Sequence, residues 1–400
     1  MKGKVTQKLE YTSQSVGIGQ YESYLVPHSI KINVGPEVKL DNSYLSPTGV
    51  FYNIAAKVDN NEIDIASGAQ ITSIATNPIE SIASPMYHAG ILGLDPTGGN
   101  SSKITIVNTG NIALTSEGGK GGLSSGIFAI SDGLGSLNTV SIENTGAISV
   151  NNTPGTSTLT GAGIWAGNPN TGGIFINNQS NISSTGDWKN IFYGIKASSI
   201  NGNITINSGN INLKSVGPSR GVQATSGKKV TINVTGDIYA LGEKTTSVGV
   251  FIEPATINEL AVGSYEINVS PGKVIRSNGM AIGVNSPEGG SITLEKNTVV
   301  GNFDQSTDNY AIFTHIGKDI INSKAFITGI IDTNAGDDKL NLTEGALKGS
   351  VLMGSGSDEL VLSGSFNSNQ VSLLDGQDGD DVLVLKGAQA SFTGERLSSW

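Results

Sequence analysis

Ile104-Thr-Ile-Val-Asn-Thr-Gly-Asn-Ile112 decides how this chain is read, because the chain keeps rewriting it. The nearest copy is Val140-Ser-Ile-Glu-Asn-Thr-Gly-Ala-Ile148, and looser ones run from Ile174 to Ile182, Ile204 to Ile211, Val230 to Ile238 and Tyr265 to Val274. Each holds a short strand of alternating apolar residues, a small polar turn usually containing Asn and Gly, and a further branched apolar residue, which spells strand, corner and second strand. The second Ile recurs at 106, 142, 176, 206, 232 and 267, in steps of 36, 34, 30, 26 and 35. A strand unit repeating at that period predicts a solenoid with one coil per repeat.

A second phrase lies between the copies: Gly90-Ile-Leu-Gly93, Gly126-Ile-Phe-Ala129, Gly163-Ile-Trp-Ala166, Gly194-Ile-Lys-Ala197, Gly221-Val-Gln-Ala224 and Gly249-Val-Phe-Ile252. Its glycines step by 37, 31, 27 and 28 from Gly126 onward, so it travels round the same coil and adds a third strand. The expected fold is therefore all-β, a single-stranded parallel β-helix (β-solenoid) with about three short strands per coil. Differences in coil length fall in Gly/Asn/Ser/Thr/Pro segments such as Asn151 to Ser157, which read as loops projecting from corners. Residues 1–28 are polar and lack the repeat, so they read as a lead-in or N-terminal cap. Residues 29–325 read as irregular coils with long loops, and residues 326–400 as regular coils of the same continuous domain.

Composition fits a long thin core. The 400 residues include 54 Gly, with 37% apolar, 14% charged and 6% aromatic residues, enough for stacked aliphatics but poor in the large side chains of a thick globular core. A formal charge of −10 and only three arginines, Arg220, Arg276 and Arg396, leave no basic stripe for a phosphate backbone, so no nucleic-acid partner is expected. Cys is absent, which excludes disulfides and thiolate metal sites. No apolar run reaches the length of a membrane-spanning helix, and the N-terminal lysines are not followed by the apolar core of a signal peptide.

Strand alternation assigns directions. If Ile127 and Ala129 point inward, Phe128 points outward, and by the same rule Trp165, Lys196, Gln223 and Phe251 stack on one outer face about 4.8 Å apart. Such a stripe is either a platform for a sugar or protein partner or a seat for the long loops of its own coils, the second being the commoner reason for outward aromatics. The repeated Asn108, Asn144 and Asn178 read as corner residues whose amides hydrogen-bond from coil to coil.

Toward the end the turns become acidic. Asp338, Asp358 and Asp381 align within Asn334 to Leu342, Gly354 to Leu362 and Asp378 to Leu385, 20 and 23 residues apart. These turns resemble the calcium-binding nonapeptides of RTX proteins in ligand type. A full coil separates them, however, where those nonapeptides place a second acidic turn nine residues on. No metal or cofactor is therefore expected. As exposed turns they would tolerate the mutual repulsion, roughly 0.9 kcal/mol per pair in water.

The segments Asp332 to Leu342, Gly349 to Gly364, Leu374 to Leu385 and Phe392 to Trp400 resemble the C-terminal coils of autotransporter passenger domains of Gram-negative bacteria, over about the last seventy residues. That resemblance implies a right-handed parallel β-helix exported by type V secretion, displayed at the cell surface or released, and followed by a translocating β-barrel. On this reading the chain is a passenger fragment whose signal peptide and barrel lie outside it. Its partner would be a host-cell or matrix protein or a surface glycan.

Chemistry leaves a weaker trace. Some passengers of this family are serine proteases, but the Gly-Asp-Ser-Gly type of motif is missing, and Gly354-Ser-Gly356 lacks the preceding Asp. His28, His88 and His315 stand alone without a motif that would supply a catalytic base. The rival class is a polysaccharide lyase or hydrolase. It would draw on Asp337/Asp338 or Asp380/Asp381, yet neighbouring residues diverge, and glycosidase carboxylates face each other across about 5–10 Å. The expectation is a non-catalytic adhesin or stalk of roughly thirteen coils, on the order of 60 Å long, whose regular coils after about residue 325 are the most stable.

Overall fold

Three strands and three corners make a typical coil. In the coil that holds the quoted stretch, Lys103–Asn108 lies on the first face, Ile112–Gly118 on the second and Gly122–Ser131 on the third. Thr139–Asn144 then returns to the first face and pairs in parallel with Lys103–Asn108. The structure is a computed structural model that describes residues 4–10, 15–20, 30–45, 50–57, 62–77, 86–96, 102–118, 121–132, 138–153, 158–168, 170–253, 263–387 and 396–400, the first two segments by their backbone course alone. His28, the loop tip 154–157 and the start of the closing Phe392 to Trp400 segment lie outside the described residues.

Among the described residues thirteen first-face strands, from Ile30–Val34 to Val382–Lys386, form one parallel sheet. The second and third faces carry parallel ladders of their own, which join where the single strand Ala346–Leu352 pairs with both. The chain is a parallel β-solenoid, and among the described residues there is no α-helix.

The register is the one the motif spells. Ile106, Ile142, Ile176, Ile206, Ile232 and Ile267 are successive rungs of one column, each fully buried. Each such side chain contributes about 1.5–3 kcal/mol of burial, so the core is a stack of small equal terms rather than one large cluster. The recurring glycines have a steric cause. A Cβ at Gly126 would lie 2.4 Å from Cγ2 of Ile148 and 2.7 Å from the Gly163 carbonyl oxygen, and the same conflict recurs at Gly163, Gly194, Gly221 and Gly249. Second-face isoleucines fill the space that any side chain there would need.

The corner asparagines behave as the sequence predicts. The buried Asn108 amide donates to Oδ1 of Asn144 at 2.7 Å, and Asn144 donates to Oδ1 of Asn178 at 2.7 Å. Each of the three also donates to the carbonyl two residues on, those of Gly110, Gly146 and Ser180. A corner bends backbone carbonyls out of the ladder, and these amides supply the missing donor.

Strands also occur within the segment that reads as a lead-in. Lys4–Glu10 and Ser15–Gln20 pair in parallel with Lys39–Leu45 and Val50–Lys57, so the second- and third-face ladders extend into it.

Candidate functional site

The outward stripe lies on the third face. Phe128, Trp165, Lys196, Gln223 and Phe251 are consecutive rungs in register, between inward Ile127 and Ala129 at one rung and their equivalents at the others. The column continues to Leu92 on one side and Gly283 on the other. Phe128, Trp165, Lys196 and Phe251 are half-buried, whereas Gln223 is only 1% exposed. At that rung the stripe is a sealed polar contact and not an open platform. Gln223 accepts from Arg220 Nη1 at 2.5 Å and donates to Glu253, while Arg220 also pairs with Glu253 at 2.9 Å.

Two members escape simple alternation. Tyr193 and Arg220 stand one residue before a recurring glycine and occupy one column of the ladder. Because both the glycine and the residue after it face the core, the residue before the glycine is turned outward beside the stripe. The Trp165 ring meets Phe128 at 6.0 Å and Tyr193 at 5.8 Å between centroids, both edge to face. The Lys196 ammonium sits 4.2 Å from the Trp165 ring centre and 4.6 Å from that of Tyr193, and Arg220 covers Phe251 at 4.5 Å. Cations over aromatic faces are mutually attractive, by about 0.5–2 kcal/mol depending on desolvation. The signal for Tyr193 and Arg220 was present in the sequence, in their place immediately before Gly194 and Gly221.

Electrostatics follow from this packing. Burial lowers the Lys196 ammonium below its ordinary pKa, with Arg220 acting the same way and Glu253 opposing. Burial pushes the Tyr193 phenol up to about 12. Among the described residues Lys196 forms no ion pair, so the patch there carries two cations against the carboxylate of Glu253. In a chain of net charge −10 it is a local reversal of sign.

The aligned aspartates of the acidic turns are not exposed. Asp319, Asp338 and Asp358 are 1–2% exposed, and this corrects the expectation of solvated carboxylates. At an effective dielectric of ~20 the pairwise repulsion at one coil spacing is about 3.5 kcal/mol, four times its value in water. Their burial follows from register. The inward column that opens the first-face strands runs Ile104, Val140, Ile174, Ile204, Val230, Tyr265, Gly290, Asp319, so the aspartates take the place of isoleucine. Oδ1 of Asp338 accepts the backbone N–H of Asp319 at 2.8 Å, Asp358 that of Asp338 at 2.7 Å, and Asp381 that of Asp358 at 2.9 Å. Asp319 accepts the Gly290 N–H at 3.0 Å and the Tyr265 hydroxyl at 2.8 Å.

Burial pushes the Asp319 carboxyl up to about 6, Asp338 to about 7 and Asp358 to about 6, each against the lowering effect of the hydrogen bonds it accepts. Sequence alignment missed Asp319. Its sign was Gly317-Lys-Asp319, the same spacing as Gly336-Asp-Asp338, Gly356-Ser-Asp358 and Gly379-Asp-Asp381, with each glycine at a φ between 141° and 156°. Among the described residues no group of three or more His, Asp or Glu is arranged to hold a metal ion.

The remaining candidates for chemistry are dispersed. Asp337 is exposed and accepts the Ser357 N–H at 3.0 Å, while Asp338 faces the core, so the two diverge. Asp380 is exposed, and Asp381 turns toward Asp358. His88 is sealed inside the coil, with Nε2 2.8 Å from Ser73 Oγ and Nδ1 3.3 Å from Ser116 Oγ. Burial holds its imidazole down at about 3, so it is neutral. No family model matches this chain, and neither a curated protein nor a solved structure matches it.

Proposed function

We propose that this chain is a non-catalytic cell-surface or secreted passenger that acts as an adhesin or structural stalk, and that the folding of its β-solenoid assists export across the outer membrane of a Gram-negative bacterium. The observation that carries the adhesive part is the Phe128, Trp165, Lys196, Phe251 stripe, joined by Tyr193 and Arg220. Aromatic edges and the Lys196 ammonium stand in register along one outer face. Half-buried aromatics with cations present apolar area at low entropic cost together with charge, which suits a surface glycan or a host-cell or matrix protein. Support for the export part is the resemblance of the last seventy residues to passenger coils, together with a fold that adds coils one at a time. Its own translocating barrel belongs to the same proposal.

Binding to an array of glycans and matrix proteins, with wild type beside Trp165→Ala and Lys196→Gln, tests this reading. The expected result is retention of at least one ligand by wild type and a loss of about tenfold or more, ~1.4 kcal/mol, in each variant. Equal binding by wild type and variants removes the stripe from the account. Release of reducing sugar from a polysaccharide would replace it with an enzyme.

A further inference from the structure

The carboxylate column poses a problem that its hydrogen bonds do not solve. Each Oδ1 of Asp319, Asp338, Asp358 and Asp381 is used, but the second oxygen, Oδ2, of all four is buried and accepts no hydrogen bond. Among the described residues no lysine, arginine or histidine forms an ion pair with any of them. The groups that face the column are the Tyr265 hydroxyl on Asp319, the Thr314 and Thr333 hydroxyls near Asp319 and Asp338, and the charge of Asp337 acting on Asp358. Those two threonines donate to the carbonyls of Thr333 and Met353, which leaves their oxygens free to accept. A buried anion in that company lacks a counter-charge, whereas a protonated carboxyl gains an O–H to donate.

We infer that Asp319, Asp338 and Asp358, closed at one end by the Asp381 Oδ1 that accepts the Asp358 N–H, form a proton-binding ladder, one carboxyl per coil, which takes up protons as the coils fold and makes the C-terminal end of the solenoid most stable in mildly acidic solution. The elevated carboxyl pKa values agree with it. The sign is fixed by linkage. Between the unfolded value near 4 and the folded values, the folded state holds more protons than the unfolded one, so stability falls as pH rises through about 6 to 7. A bound cation is the competing solution for the same oxygens, and among the described residues the geometry gives it no converging ligand set.

Infrared titration of the folded full-length chain, following the band of protonated carboxyl groups, reads the ladder directly. The expected result is a set of carboxyls that deprotonate between about pH 5 and 8, reduced by one group in Asp338→Asn and by one in Asp358→Asn. Asparagine keeps the Oδ1 acceptor for the Asp319 or Asp338 N–H, so each variant is also expected to resist urea better than wild type near pH 8. The wild-type titration stands even where a variant fails to fold. Carboxyls that all ionise below about pH 5 overturn the inference, as does a protonated band that calcium chloride abolishes while raising the melting temperature.

Discussion

The coils around residues 104–234 and those from 319 onward solve the same problem with different chemistry. The N–H that opens each first-face strand must find an acceptor in the next coil. In the first region a backbone carbonyl provides it: Val140 donates to Gly173, Ile174 to Asn203, Ile204 to Lys229 and Val230 to Ser264, at 2.9–3.1 Å. In the second a side chain takes over, because the Gly-x-Asp turn swings the peptide away and the Asp carboxylate fills the gap. Gly290 marks the exchange, sharing its N–H between the Lys318 carbonyl at 3.2 Å and Asp319 Oδ1 at 3.0 Å. Tyr265, lying over Gly290, lays its ring where the last isoleucine would have been and hands its hydroxyl to the first aspartate. The lesson is that one inward column tolerates isoleucine or aspartate, according to what the turn before it does with its peptide.

The sharpest way to break that comparison is to move the aspartate. Ile174→Asp puts a carboxylate in a rung where the Val140 N–H is already bound by Gly173, so the charge is buried without a donor. A loss of about 3–5 kcal/mol is expected by urea unfolding at neutral pH, the cost of an uncompensated buried charge. A loss below about 1 kcal/mol would mean that the aliphatic coils rearrange to accept carboxylates and that the two regions are interchangeable.

A smaller effect is expected from the neutral ladder. Asn144→Ala removes the middle rung, leaving the Asn108 amide without its acceptor on Asn144 and the Gly146 carbonyl without a side-chain donor. The loss is expected to be about 2–4 kcal/mol in the same assay, with no pH dependence between about 5 and 8. A pH-dependent loss there would erase the distinction between amide and carboxylate corners.

Much of this was legible before any coordinates. The same place of Ile106, Ile142 and Ile176 within each copy of the motif set the register, because a one-residue slip would turn every isoleucine to solvent. Alternation placed Phe128, Trp165, Lys196, Gln223 and Phe251 in one column for the same reason. Three things were hidden, each for its own reason. Two successive inward residues at Gly194-Ile195 and Gly221-Val222 brought Tyr193 and Arg220 to the outer side. The seal over Gln223 depends on Arg220 and Glu253, which lie 3 and 30 residues away in sequence. The burial of Asp338 and Asp358 was invisible because Gly/Asp composition signals an exposed turn, while register gives these aspartates a core position.

The interior histidine sets the opposite sign at the other end of the molecule. His88 is neutral when folded, so its contribution to stability is present above its unfolded pKa near 6.5 and is lost as pH falls toward about 3. Whether the regular coils after residue 325 are the most stable, as expected from the sequence, is therefore predicted to depend on pH. They gain on the coils around His88 as pH falls and lose on them as it rises.

Hydrogen exchange of the whole chain at about pH 5 and about pH 8, expressed as protection relative to the unfolded chain at each pH, tests the two-region account most directly. The predicted result is opposite movement within one molecule. Amides of Lys339–Leu342 and Glu359–Ser363 become better protected at the lower pH, and those of Met86–Asp95 and Ile112–Gly118, which enclose His88, become less protected. Protection that shifts in the same direction at both ends, or not at all, would contradict it.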